Sequence, residues 1–185
     1  MKELFEAVRA GDQSRVDALV AADPTLAIFA AAMQGQTSQV EALLSANRSL
    51  VSAVSTDGWT PLHLAAFFGA AETARTLLNK GADANLRSTN PMQNLALHAA
   101  AAGGHAEIVK LLLDRGAPAN ARQHGGWTAL HAAAQHGNID MAQALVAAGA
   151  DVSARAENNQ QPLDLALTKG HQYMVDFLEA CGAKL

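Results

Sequence analysis

Thr128-Ala-Leu-His131-Ala-Ala-Ala-Gln-His-Gly137, followed by Gly149-Ala-Asp151, decides how the chain folds, because the same stretch returns along most of the sequence. His63 heads one copy, Thr60-Pro-Leu-His63-Leu-Ala-Ala-Phe-Phe-Gly69, which closes on Gly81-Ala-Asp83. His98 heads another, and Asp164 takes the histidine place in Pro162-Leu-Asp164-Leu-Ala-Leu-Thr-Lys-Gly170. These anchors lie 35, 33 and 33 residues apart, each with Gly at +6 and again at +18. A period of this length marks one supersecondary unit repeated, since a unit that cannot bury its apolar face alone must stack on a neighbour.

The +6 glycine extends the count toward the N-terminus. Gly11 implies an anchor at Phe5, and Gly35 one at Phe29. Position +14 is then leucine in all six units (Leu19, Leu43, Leu77, Leu112, Leu145, Leu178), and +11 is Val16, Val40, Ala74, Val109, Ala142 and Val175. Helical spacing puts these on one apolar stripe of each unit's second helix, which predicts six helix pairs. Thr60 and Pro61 predict an N-cap and N1 residue. Asp12 predicts a cap for the second helix of unit one, and Asp23-Pro24 its stop. Asn47 is expected to close unit two in the left-handed conformation. Leu95 and Ala96 replace the Thr-Pro pair, so the first helix of unit four should begin less sharply.

A repeat carrying Thr-Pro-Leu-His, an alanine pair, Leu-Leu and Gly-Ala-Asp near every 33 residues resembles the ankyrin repeat. The resemblance implies an all-α solenoid of about six stacked helix pairs with short β-turn fingers. It divides the single domain 1–185 into an N-terminal capping repeat (1–24), repeats at 25–56, 57–91, 92–124 and 125–157, and a C-terminal capping repeat (158–185), whose Pro-Leu-Asp-Leu-Ala variant is similar to that of terminal units. The 24-residue step between the first two anchors leaves no room for a finger there. The finger 86–94 is two residues longer than its counterpart, which makes it a candidate functional loop or a neutral insertion.

Composition narrows the functional classes. Half the residues are hydrophobic but only 4% aromatic, and alanine is the commonest residue, which suits closely stacked helices. A net charge of −4 and a pI near 5.9 argue against a phosphate-binding face. The lone Cys181 excludes an internal disulfide, fits a reducing, cytoplasmic setting and reads as a small filler at a helix end. Neither a signal peptide nor a membrane span is expected, and the chain should be monomeric. Of the seven histidines, His63, His98 and His131 hold the repeat's own histidine slot, for which the resemblance implies a hydrogen bond to backbone near the adjoining finger. His105 and His171 sit at +7, a position that opens the second helix, which leaves only His124 and His136 as a pair, and two ligands make a poor metal site. No phosphate-cradling loop, nucleophile elbow or His-Glu-x-x-His appears, so no metal, cofactor or enzymatic activity is expected.

The resemblance implies that the residue before the Thr slot and positions +4 and +5 line a concave binding face. These are Trp59, Phe67 and Phe68; Asn94, Ala102 and Gly103; Trp127, Gln135 and His136; and Gln160, Thr168 and Lys169, with Met33 and Gln34 from unit two. Trp59, Phe67, Phe68, Trp127, Gln135 and His136 are the expected partner-binding residues, because aromatic side chains dominate binding energetics. The function expected is a scaffold, adaptor or inhibitor holding a partner protein. The alternative is a small apolar ligand held between Phe67-Phe68 and the long finger. A third possibility gives the aromatics a packing role, with Pro91 and Met92 folded over them.

Overall fold

Six glycines, each six residues after an anchor, end a helix with φ between 65° at Gly137 and 80° at Gly104. This left-handed geometry costs glycine nothing. In the computed structural model, which describes residues 1–184, the turns they make divide the chain into six helix pairs. The pairs are α1 (Lys2–Ala10) and α2 (Gln13–Ala22), α3 (Ala27–Gln34) and α4 (Thr37–Ala46), α5 (Pro61–Phe68) and α6 (Ala71–Asn79), α7 (Ala96–Gly103) and α8 (Ala106–Asp114), α9 (Ala129–His136) and α10 (Ile139–Ala147), and α11 (Pro162–Lys169) and α12 (Gln172–Ala180). No strand is present among the described residues, and none of their helices is long and apolar enough to cross a membrane.

Inner helices α3, α5, α7, α9 and α11 pack in one row, and the outer helices form a second row behind them. One apolar core runs between the rows. The +11 residue is buried in all six units, and the +14 leucine is fully buried in units three to six. In units one and two it is half-buried, and in unit two Leu44, one residue on, takes the core place.

Helix starts follow the expected chemistry with two corrections. Asp12 accepts the Arg15 amide at 3.0 Å and caps α2. Asn47 is extended (φ −147°) rather than left-handed, and its side chain caps a 3₁₀ turn over Arg48–Ser52 that begins the first finger. Helix α7 starts in the same register as α5 despite losing Thr and Pro. His98 Nδ1 accepts the Leu95 amide at 3.1 Å, so the ring supplies the acceptor that the side chain at the cap cannot.

The fingers form a ladder along one edge of the stack. Each closes on itself through a bond such as Gln123 N–H to the Trp127 carbonyl, 2.9 Å, and consecutive fingers are joined by Thr89 to Gly58, His124 to Met92 and Glu157 to Gly125. The long finger therefore reaches both neighbours. Its extra residues are held by a buried Ser88–Asn94 hydrogen-bond pair, and a side chain at Gly58 would strike the Asn90 amide. Three arginines at equivalent finger positions staple the ladder: Arg87 donates to the Arg122 carbonyl at 2.9 Å and Arg122 to the Arg155 carbonyl at 2.6 Å. Cys181 is exposed, not the filler expected, because it caps α12 on the solvent side.

Candidate functional site: the concave face

The histidine slot is a structural fixture. Nε2 of His63, His98 and His131 faces the carbonyls of Asn94, Ala121 and Gln160 at 3.0, 2.9 and 3.1 Å. A carbonyl can only accept, so each ring carries its proton on Nε2 and offers Nδ1 to the start of its own helix. Burial pushes all three below the usual histidine value, and His98 down to about 4, with the carbonyl bonds opposing the shift. In unit six the slot residue is a carboxylate, which has no N–H to donate to such a carbonyl. Asp164 keeps only the capping half of the role, accepting the Gln161 amide at 2.7 Å.

A second set of histidines closes the ends of the inner helices, whose last carbonyls have no partner within the helix. His105 Nε2 donates to Phe67, His136 to Ala102 and His171 to Gln135, at 3.0, 3.1 and 3.1 Å. The His105 ring passes so close to Gly103 that any Cβ there would meet both the ring and the Phe67 carbonyl. Among the described residues no group of three His, Cys, Asp or Glu is arranged to hold a metal ion.

The expected face divides in two. At +4, Met33 is buried and Phe67 half-buried, whereas Ala102, Gln135 and Thr168 are exposed. The +5 series runs the same way, from half-buried Gln34, Phe68 and Gly103 to exposed His136 and Lys169. The cause is α1. The Phe5 ring lies 5.6 Å from Phe67 and 4.9 Å from Phe68, centroid to centroid. A helix stacked in regular order two units away would stand ~20 Å off, given ~10 Å between packed helices. Helix α1 therefore leans across unit two onto the concave side of unit three. Phe5, Phe67 and Phe68 form an edge-to-face cluster. Met92 is exposed, so the cover over these rings is α1 and not the long finger.

The two tryptophans hold the same repeat position, and each packs on its slot histidine: Trp59 on His63 at 5.7 Å and Trp127 on His131 at 5.2 Å. Trp127 also lines an open cleft of ≈ 470 Å³ with Ala102, Gln123, Gln135, His136 and Lys169. Of the six residues expected to bind, Trp127, Gln135 and His136 are thus brought together, Phe67 and Phe68 form a separate cluster, and Trp59 stands apart. Sequence reasoning missed the role of Phe5 and the arginine staples. The spacing of 35 and 33 residues between Arg87, Arg122 and Arg155 carried the second. The apolar face of Leu4, Phe5, Ala7 and Val8 was the only trace of the first.

The chain matches the family model described as ankyrin repeats (3 copies) over residues 4–88 and 97–185. The model described as ankyrin repeats (many copies) matches residues 69–113. The interruption in the first match, 89–96, coincides with the tip of the long finger and the altered helix start at Leu95-Ala96. No curated protein sequence matches the chain.

Proposed function

Since the chain belongs to the ankyrin-repeat family, whose repeats generally serve as protein–protein interaction modules, we propose that it is a non-enzymatic scaffold that holds a partner protein against the open half of its concave face. The observation that carries this reading is the cleft around Trp127. A half-buried indole, fixed by its packing on His131, stands among exposed amide and cationic side chains. Such an anchor offers a large contact area at little entropic cost. The stapled fingers and closed helix ends hold the cleft's walls in place before a partner arrives, which favours affinity for the same reason. Gln135, His136 and Lys169 form its polar rim.

The small-ligand alternative loses support, because Phe5 packs where the ligand would rest on Phe67 and Phe68. The cleft is also open along its length, whereas small-molecule sites enclose most of their ligand. The scaffold acts as a monomer, and its lone thiol suits the cytoplasm.

The test compares Trp127→Ala with the parent chain in pull-downs from native lysate read by mass spectrometry, with melting temperatures in parallel. A hot-spot truncation removes ~2 kcal/mol or more of affinity, roughly thirtyfold. Recovery of a stoichiometric partner should collapse while the melting temperature moves little. Undiminished recovery would remove the open half of the face from consideration.

A further inference from the structure

The concave face carries a charge pattern that its aromatic content does not explain. Beside the Trp127 cleft lies a second, of ≈ 450 Å³, lined by Val8, Arg9, Phe67, Phe68, Gly103 and His105. The two meet at the end of α7, where the consecutive residues Ala102 and Gly103 each line one of them. No carboxylate lines either cleft, although the chain carries 17 acidic residues against 13 basic ones. The lysine and arginine that do line them sit at opposite ends of the channel, Arg9 on the covering helix and Lys169 on α11. Both are exposed, and among the described residues neither belongs to an ion pair. The pairs that exist, Arg15–Glu3, Arg75–Glu72 and Arg75–Glu107, lie outside both linings.

Resting on the scaffold reading above, we infer that this channel takes a short acidic segment of the partner protein, with carboxylates at the two ends of an apolar stretch. One carboxylate meets Arg9 and the other Lys169. The side chains between them rest on the exposed edges of Phe67 and Phe68 and on Trp127. The span from the junction of units three and four to unit six is about two repeats, ~20 Å at ordinary helix spacing. An extended chain covers that with about six residues. Helix α1 thereby has two roles: Phe5 fills the N-terminal part of the face, and Arg9, one turn on, supplies the first charge of what remains open. Segregated charge of this kind steers an oppositely charged partner and rejects a like-charged one.

The test uses the full chain, immobilised, to select from a random twelve-residue peptide phage library. Labelled synthetic copies of the winners are then titrated by fluorescence anisotropy against the parent chain and the Arg9→Glu, Lys169→Glu and Trp127→Ala variants. Circular dichroism confirms that each variant keeps its helicity. The expected winners carry Asp or Glu on both sides of aliphatic or aromatic residues. Each charge reversal should weaken them about tenfold, and added salt should weaken them further. Acidic winners indifferent to both reversals overturn the inference, as does a failure to select any peptide. Neutral or basic winners that Trp127→Ala abolishes overturn the acidic segment and leave the scaffold reading standing. Winners indifferent to Trp127→Ala as well count against the scaffold reading itself.

Discussion

The N-terminal and C-terminal halves of the concave face are built from the same unit, yet one is partly covered by a helix and the other is open. In units two and three the +4 and +5 positions carry Met33, Gln34, Phe67 and Phe68, and α1 lies over them. From unit four onward they carry Ala102, Gly103, Gln135, His136, Thr168 and Lys169, and no helix covers the cleft they border. The same helix-pair unit thus yields different surfaces, because the side chains at two positions decide whether a helix can gain by lying there. Large apolar groups repay coverage at ~25 cal/mol per Å² removed from water, and amides and cations do not. A partner that binds this protein meets a face of which half is already occupied from within.

The largest expected effect tests whether the two ends of the stack contribute equally to the core. Leu112→Ala, at a fully buried mid-stack position, should cost ~2–5 kcal/mol in denaturant unfolding. Leu19→Ala, half-buried in unit one, should cost less than half of that. Equal losses would mean that the covered end is as tightly packed as the middle.

Acid should act on what the two halves share. The folded pKa of His98 lies near 4, below its ordinary 6.5, so the unfolded chain takes up the proton first as pH falls. The stability linked to this group is whole above about pH 6.5 and is lost as pH falls toward 4, by about 3 kcal/mol. His63 and His131 shift in the same direction. Denaturation midpoints measured between pH 7 and 4 should fall accordingly, and His98→Gln should flatten the slope while lowering the plateau.

A smaller effect separates cover from groove. Phe5→Ala removes a half-buried ring and two aromatic contacts, and should cost about 2 kcal/mol, with Phe68→Ala close behind. Limited proteolysis should then cut α1 sooner than in the parent chain. Unchanged stability in both variants would show that α1 does not depend on the cluster. The smallest change is expected at Trp127→Ala, which should lower stability by less than about 1 kcal/mol. A loss as large as that of Phe5→Ala would make the open half a packing surface too and erase the contrast.

Much of this was legible in the residues. The +6 glycines, the +11 and +14 positions, Thr60 and Asp12 each name a local requirement that the backbone meets where it arises. The candidate face was legible only as a set of positions. Trp127, Gln135 and His136 occupy one cleft because three successive inner helices run side by side, as repetition dictates. Phe67 and Phe68 looked equally available, since nothing in their own unit covers them. Leu95 misled in the opposite direction: the missing threonine was visible, and the ring of His98 turning back to the cap was not.

The sequence by itself determined the unit, its number, its turns and its apolar stripe, because each rests on contacts within a unit or between adjacent copies, and periodicity transmits those along the chain. Tertiary structure alone decided which part of the concave face is open. That outcome hangs on Phe5 meeting residues more than sixty positions away and two units along the stack. No finger joins the first two units to hold α1 in regular order, so that helix settles with Phe5 against Phe67 and Phe68, and no repeat period encodes that place.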